Sequence, residues 1–358
     1  MGKVLMKGNE AIGEAAIRAG CLNYFAYPIT PQSEVAEYLS KRMVEEGGMF
    51  LQGESEVAVS YMLLGAAAAG ERVFTTSSSP GISLMSEGIS YIAACQCPAV
   101  FVNIMRGGPG LGGILPSQAD YLQATKGGGH GDYKMLVMAP ASVQEAAEMV
   151  MRAFPLAEKY RNPVMILGDG LIGQMMEPVE FPDDLKAEPS NKDEWATNGM
   201  DTRKSTKRNL VKSLYLDPEE LNGHNLKLKA KYEQMKREEI LYESYNMEGD
   251  YRVLVISYGT MSRVCRTAID NLKEEGMEIG MVRPQHLFPF PEKAILESAT
   301  KESCRAVVSI EMSMGQMLED VERSVQGKRP VTWYGKCGGE VPTPEEVMEA
   351  IRELAHEG

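Results

Sequence analysis

Tyr27-Pro28-Ile29-Thr30-Pro31, followed by Gln32-Ser33-Glu34, decides how the first half of this chain is interpreted. The short apolar run Tyr24-Phe25-Ala26 precedes it, and a helical pattern follows. The two prolines stiffen the backbone between them. Pro31 suits the first position of a helix, which predicts that Thr30 is the N-cap. Either Thr30 only caps the helix, or its hydroxyl is held at a strand-to-helix turn that faces a ligand crevice.

Alternating apolar runs and helical patterns extend outward from this turn. Buried-strand patterns such as residues 99–104 and 163–167 alternate with helices, which predicts a doubly wound parallel sheet over residues 1–180. A charged connector without a strand follows at residues 181–250. Residues 251–358 form a second, smaller α/β domain, in which the proline-rich run 283–291 is a stiff crossing.

Charge and cysteine content exclude several classes of protein. The formal net charge of −13 argues against nucleic acid or an anionic membrane as the main partner. The six cysteines are scattered and show no zinc or ferredoxin spacing. We find no signal sequence and no stretch long enough to cross a membrane, so we expect a cytoplasmic protein.

Arg106 is the first candidate site residue. It follows a buried strand and opens the Gly-rich loop 106–116, where a guanidinium can bind a carboxylate with two hydrogen bonds. The alternative is an ordinary surface arginine. The loop lacks the spacing of a P-loop, and no GxGxxG follows the first strand.

Glu56 is the second candidate, because it lies between a strand end and a helix. An acidic residue there also simply stabilises the helix dipole. His130 lies on a glycine-rich loop, either as an acid–base group or as a plain loop histidine. Asp169 and Asn198 have the spacing of a thiamine diphosphate metal motif, but the segment between them forms neither the helix nor the strand that the motif needs. We therefore predict no metal site in this chain.

Several stretches, spread over essentially the whole chain, carry a resemblance to one family. They are Gly8-Asn9-Glu10-Ala11, Tyr27–Pro31, Glu54-Ser55-Glu56, Thr75–Gly81 with Leu84–Glu87, Arg106-Gly107-Gly108-Pro109, His130-Gly131-Asp132, Leu287–Pro291 and Glu311–Gln316. Taken together, they resemble the alpha subunits of 2-oxoacid:ferredoxin oxidoreductases. The loop Gly107–Asp120 is most similar to the 2-oxoisovalerate (3-methyl-2-oxobutanoate, branched-chain) type, and the 2-oxoglutarate type is the weaker alternative.

The resemblance implies a thiamine diphosphate enzyme that oxidatively decarboxylates a 2-oxoacid with CoA and reduces ferredoxin. The first domain would bind the cofactor's pyrimidine ring, and the second would be similar to the C-terminal domain of transketolase. A beta subunit would hold the diphosphate and Mg²⁺. The 4Fe–4S clusters would also lie in partner subunits, which would include gamma and ferredoxin-like delta subunits.

The resemblance also implies roles for individual residues. Glu56 would hydrogen-bond the pyrimidine nitrogen N1′, with Glu54 as the fallback. The stretch Tyr27, Pro28, Ile29 and Thr30 would line the cofactor. Thr30 and Arg106 would bind the substrate, as would Ser117 if the differing loop lengths allow the match.

Two other classes of function stay open on the sequence. The beta chain of a 2-oxoacid dehydrogenase E1 component has the same pair of domains, but it passes its acyl group to lipoyl domains. A non-catalytic scaffold subunit is the other alternative. The Tyr27–Pro31 turn and the Arg106–Pro109 loop disfavour the dehydrogenase.

Overall fold

The computed structural model describes residues 2–182, 191–200 and 207–357. Its strands belong to one two-stranded ribbon and two larger sheets. They are β1 (Val4–Lys7), β2 (Asn23–Ala26), β3 (Met49–Gln52), β4 (Val73–Ser77), β5 (Ala99–Met105), β6 (Leu136–Met138), β7 (Pro163–Asp169), β8 (Met176–Val179), β9 (Tyr242–Tyr245), β10 (Val253–Ile256), β11 (Ile279–Pro284), β12 (His286–Phe288), β13 (Ala306–Glu311) and β14 (Val331–Gly335).

Helices connect most of the strands, as expected of an α/β chain. They are α1 (Gly8–Arg18), α2 (Ser33–Glu45), α3 (Glu56–Ala68), α4 (Ser79–Ala94), α5 (Tyr121–Lys126), α6 (Val143–Tyr160), α7 (Gly170–Gln174), α8 (Pro218–Glu238), α9 (Gly259–Glu274), α10 (Glu292–Ala299), α11 (Leu318–Val325) and α12 (Pro344–Glu357). No described helix combines the length and hydropathy that a membrane span needs.

The first sheet has seven strands in the order β12-β6-β7-β5-β4-β2-β3. Apart from β12, they run parallel, so their carboxyl ends meet at one edge. The central strands β4, β5 and β7 are buried along their whole length, because helices cover both faces. The α/β class and the parallel sheet predicted from the sequence are confirmed.

The second sheet has the order β14-β13-β10-β11-β9 and contains a strand that the sequence analysis missed. β9 lies in the predicted strandless connector and pairs antiparallel with β11 at the sheet edge. Its sequence Tyr-Glu-Ser-Tyr carries only two large side chains, so it has no apolar run to mark it. The connector residues 183–190 and 201–206 lie outside the described part of the chain.

The proline-rich run 283–291 is also more than a crossing. After β11 the chain leaves the second sheet. β12 then pairs antiparallel with β6 and adds one strand to the first sheet. The buried Arg283 lies just before β12 and forms ion pairs with Glu145 of α6 and Glu243 of β9. This segment therefore ties the two sheets together.

Gln118 makes a second connection between the sheets. Its backbone N–H donates to Met312 O, and its side-chain oxygen accepts from Met312 N, each at 2.9 Å. Its side-chain nitrogen donates to Tyr258 O, and the Tyr258 hydroxyl donates back to Gln118 O. These four bonds fix the loop after β5 against the second sheet.

Candidate active site at the carboxyl edge of the first sheet

The Tyr27–Pro31 turn follows β2 at the carboxyl edge, as predicted, but Thr30 does not cap the next helix. Gln32 N–H donates to Ile29 O and closes a turn, so α2 begins only at Ser33 with Gln32 at its N-cap. The prediction that Thr30 is the N-cap is therefore wrong. Its side chain is exposed at the turn.

Neighbouring elements hold this turn firmly. The carbonyl of Pro31 accepts hydrogen bonds from Asn9 of α1 and Gln174 of α7, at 2.8 and 3.2 Å. The buried Gln32 side chain accepts from the Thr76 hydroxyl of β4 at 2.5 Å and donates to Tyr27 O. Because these contacts come from both sides, the turn is a rigid wall of the crevice.

Arg106 follows β5 and contacts the turn directly. Its two terminal nitrogens donate to Thr30 O at 3.0 Å and Leu111 O at 3.2 Å. Its Nε is buried without a hydrogen-bond partner among the described residues. Arg106 is only 8% exposed, and its guanidinium joins the turn to the Gly-rich loop while its Nε–H is left without an acceptor in the described part of the chain.

Asp120 supports the backbone of Arg106 through Ser79. The Ser79 hydroxyl accepts from Arg106 N at 3.0 Å and donates to the Asp120 carboxylate at 2.6 Å. The same carboxylate accepts from Asn103 at 2.9 Å. Burial raises the pKa of Asp120, and the two hydrogen bonds oppose that rise. The sequence analysis gave Asp120 no role, since only the fold brings this loop residue under the strand end.

Glu56 lies in the first turn of α3, with a side chain only 5% exposed. No described residue hydrogen-bonds its carboxylate. Gly81 of α4 makes room for it: a Cβ there would lie 2.8 Å from Glu56 Oε1 and 2.1 Å from the Ser77 hydroxyl. The absence of a side chain at Gly81 thus lets Glu56 and Ser77 pack closely against α4. A carboxylate on a buried residue that has no protein partner is a group that a ligand with a hydrogen-bonding edge would satisfy.

Buried polar atoms without partners gather at the same strand ends. They are the hydroxyls of Thr75, Ser77 and Ser78, the side-chain oxygen of Asn103 and Nε of Arg106. Unsatisfied buried polar groups are few in folded proteins, so a cluster of them indicates a place where a ligand binds. The motif Thr75–Gly81 was noticed in the sequence, but no role was given to its hydroxyls.

The remaining predicted positions make other contacts. The Ser117 hydroxyl donates to Met312 O at 3.4 Å and is buried against the second sheet. His130 is exposed, and its ring packs edge-on against Tyr91. Glu54 is exposed in the turn before α3. Asp169 caps α7 by accepting from two backbone N–H groups, and burial raises its pKa.

Two family models match most of the chain. The family model "Pyruvate flavodoxin/ferredoxin oxidoreductase, thiamine diP-bdg" matches residues 14–244, and "Pyruvate:ferredoxin oxidoreductase core domain II" matches residues 252–347.

Two curated relatives span nearly the whole chain. The ketoisovalerate oxidoreductase subunit VorB of Methanothermobacter thermautotrophicus is 46% identical over 99% of both chains. The 2-oxoglutarate synthase subunit KorA of the same organism is 35% identical over 98% of both chains.

A solved 2-oxoglutarate:ferredoxin oxidoreductase from Magnetococcus marinus, with 2-oxoglutarate, coenzyme A and succinyl-CoA bound, matches with a TM-score of 0.87 and 27% identity. The match covers 99% of this chain and 65% of that one.

Fold, crevice and comparisons together define a thiamine diphosphate-dependent enzyme subunit. The chain belongs to the 2-oxoacid:ferredoxin oxidoreductase family, and the resemblance seen in the sequence is confirmed. The residues at this sheet edge also fit the cofactor, because the Glu56 carboxylate has no partner among the described residues and unpartnered hydroxyls of Thr75, Ser77 and Ser78 lie at the same strand end.

Proposed function

We propose that this chain is the alpha subunit of a 2-oxoacid:ferredoxin oxidoreductase that converts 2-oxoisovalerate and CoA to acyl-CoA, CO₂ and reduced ferredoxin. The observation that supports this proposal most directly is that three features lie at one edge of the first sheet. They are the unpartnered Glu56 carboxylate, the Tyr27–Pro31 turn and Arg106. The identity of 46% with the ketoisovalerate subunit, against 35% with the 2-oxoglutarate subunit, supports the branched substrate.

Glu56 acts on the cofactor in this proposal. Bound thiamine diphosphate supplies the nucleophilic carbon that attacks the keto group and the electron sink for loss of CO₂. The Glu56 carboxylate shares a proton with the pyrimidine nitrogen N1′ and so favours the ring tautomer that is needed. Tyr27, Pro28, Ile29 and Thr30 form the wall beside the ring. Ser77 lies next to Glu56 and offers a further hydroxyl to that edge.

Arg106 and Thr30 bind the substrate in this proposal. The buried Nε of Arg106 has no partner among the described residues, and the Thr30 hydroxyl is exposed at the same turn. Both groups are donors, and the substrate's carboxylate and keto oxygens are acceptors. The Gly-rich loop carries exposed apolar side chains at Leu111, Ile114 and Leu115, which suit a branched aliphatic chain. We leave Ser117 out of the substrate site, because its hydroxyl already bonds Met312 O.

Partner subunits supply what this chain does not. Among the described residues, no group of three or more His, Cys, Asp or Glu side chains is placed to hold a metal ion. We therefore infer that a beta subunit holds the diphosphate and Mg²⁺. We also infer that the partner subunits, beta, gamma and a ferredoxin-like delta, carry the 4Fe–4S clusters and pass electrons to ferredoxin. The six free cysteines support a location in the reducing cytoplasm.

The diphosphate-binding subunit would dock on α3 and α4. Glu56 begins α3, so the chain that holds the other end of the cofactor must come close to this helix. α3 is apolar all round, yet Val57 and Tyr61 are about 40% exposed. At Gly65 an added Cβ would meet nothing within 4 Å. An apolar helix face left open beside the site favours a protein partner there.

The Val57→Asp variant tests this docking face. A charge in the centre of an interface should weaken binding of the beta subunit about tenfold or more, because it would be buried without a partner. The measurement is co-purification of the tagged chain with its partner, followed by a titration of the separated subunits.

The matched control is Val44→Asp, since Val44 of α2 is 69% exposed and lies on another helix. Assembly should be normal in this control, and thermal unfolding of both variants should match that of the wild type. Equal loss of assembly in both variants, or none in Val57→Asp, would contradict the proposed docking face.

Substrate choice is the test of the proposed function. The complete complex, purified without oxygen, should reduce a viologen dye with CoA fastest when given 2-oxoisovalerate. We expect kcat/KM for 2-oxoglutarate to be lower by about tenfold or more, because its second carboxylate would meet the apolar loop. A preference for 2-oxoglutarate would overturn the substrate assignment.

The remaining alternatives give different results in the same experiment. A colourless complex that reduces no dye but acylates lipoyl domains would establish the E1 dehydrogenase. A brown complex whose rate survives changes at both Glu56 and Arg106 would make this chain a scaffold.

A further inference from the structure

A groove lined by none of the crevice residues carries positive charge on this otherwise acidic protein. Two adjoining cavities of about 340 and 470 Å³ share Lys126, Lys134, Lys236 and Phe288 in their walls. We call this feature the basic groove. Lys126 lies on α5, Lys134 lies in the segment before β6, and Lys236 lies on α8. Arg323 of α11 brings a further cation from a fourth element. Lys236 and Arg323 are far from Lys126 and Lys134 in the sequence, and the fold brings them together.

Cations outnumber carboxylates in the walls of the two cavities by six to four. The cations are Lys126, Lys134, Lys229, Lys236, Lys293 and Arg323, and the carboxylates are Asp132, Glu233, Glu292 and Asp320. The buried Asp320 pairs with both Lys126 and Arg323, and it also accepts from the Tyr121 hydroxyl. Glu292 is the second partner of Arg323, and Glu233 pairs with Lys236 at 2.8 Å. One buried carboxylate therefore serves two cations, and most of its acceptor capacity is already used.

Lys134 is the least compensated cation in the groove. Its half-buried ammonium donates to the carbonyls of Thr125 and Lys126, at 3.3 and 3.1 Å. No described carboxylate lies within 4 Å of it. Burial lowers its pKa, and Lys126, Lys236 and Arg323 lower it further, while Asp320 opposes them. A bound anion would relieve both the burial cost and the mutual repulsion.

The opposite wall of the groove is apolar. The side chains of Leu287, Pro289 and Phe290 are buried there, and Phe288 is half-buried in the wall of both cavities. A phenyl ring beside lysines suits a ligand that has a planar ring at one end and phosphates at the other. Inorganic phosphate alone would leave the apolar wall unused.

We propose that the basic groove binds an adenine-nucleotide-like ligand, with its phosphates on Lys126, Lys134 and Lys236 and its base against Phe288. The site lies outside the proposed catalytic crevice. Its ligand is therefore a regulator or a second anionic effector, and not the 2-oxoacid.

Binding of ADP to the complete complex tests the proposal. Equilibrium dialysis would be done with CoA and thiamine diphosphate at saturation, so that their own sites are filled. Lys134→Met and Lys236→Met should each weaken ADP binding about tenfold, which is the loss of one charge-assisted hydrogen bond. Lys41→Met is the matched control, because Lys41 is an exposed lysine of α2 and should leave binding unchanged.

Photolabelling with 8-azido-ADP locates the site directly. The label should appear on peptides covering residues 126–134, 222–236 or 287–293. Labels found only elsewhere, no ADP binding at about 1 mM, or wild-type affinity for ADP in both lysine variants would overturn the proposal. Inorganic pyrophosphate that binds as tightly as ADP would overturn the part assigned to Phe288.

Discussion

Glu56→Gln should lower kcat of the assembled complex by about a hundredfold or more, while the complex still forms. Glutamine keeps the size of the side chain but cannot share a proton with a ring nitrogen. Losing one acid–base group of this kind typically costs a factor of 10² to 10⁴. Since no described residue hydrogen-bonds the Glu56 carboxylate, the change breaks no contact within the chain. The effect should therefore fall on catalysis and leave folding intact.

The measurement is the anaerobic assay of viologen reduction with 2-oxoisovalerate and CoA, at saturating thiamine diphosphate. Cofactor affinity is measured separately, by titrating cofactor-free complex and following activity or tyrosine and tryptophan fluorescence. KM for the 2-oxoacid should change little, because Glu56 is proposed to contact the cofactor and not the substrate.

Glu54→Gln is the matched control, since Glu54 is only two residues away but exposed. Its rate should stay near that of the wild type. A wild-type rate in Glu56→Gln would remove Glu56 from the proposed site. Loss of rate in Glu54→Gln alone would transfer the role to the fallback residue.

The sequence predicted the main elements of the fold because their physical signals are local. The seven-residue strand Ala99–Met105 and the helices around it show clear apolar periods. The capping box at the last helix was also readable: Thr343 accepts from Glu346 N, and Glu346 accepts from Thr343 N. β9 and β12 were missed because each is short and has no clear local pattern. Their extended conformation depends on pairing with strands that are distant in the sequence.

The site was predictable as a set of segments, but its internal contacts were not. The sequence placed Arg106 and the Tyr27–Pro31 turn at strand ends, and parallel strands bring such ends together. It could not show that Arg106 donates to Thr30 O, or that Ser79 connects Arg106 to Asp120. Those bonds join residues far apart in sequence, and no local preference encodes them.

The wrong cap at Thr30 has the same origin. Thr before Pro is a good local signal for an N-cap. In the structure, however, Gln32 is at the N-cap, and its buried side chain accepts a hydrogen bond from the Thr76 hydroxyl. A tertiary contact thus decided where the helix begins. Local patterns are least reliable where the chain turns into a site.

Arg106→Lys should lower kcat/KM for 2-oxoisovalerate about a hundredfold, although it keeps the positive charge. The guanidinium makes two different contacts through its fork, to Thr30 O and Leu111 O, and leaves Nε for the ligand. The ammonium group of lysine is a compact donor on a flexible chain, so it cannot hydrogen-bond Thr30 O, Leu111 O and a ligand at the Nε position at the same time. We expect both looser substrate binding and a less ordered Gly-rich loop.

A series of substrates separates these two effects. If Arg106 binds the carboxylate, KM should rise for every 2-oxoacid by a similar factor. If it only holds the loop, the preference for the branched chain should weaken more than the binding of 2-oxoacids in general. Arg263→Lys is the control, because Arg263 is a partly exposed arginine of α9 that pairs with Glu177. An Arg106→Lys enzyme with unchanged kcat/KM and unchanged preference would contradict both roles, whereas equal losses in both variants would indicate a general effect on folding.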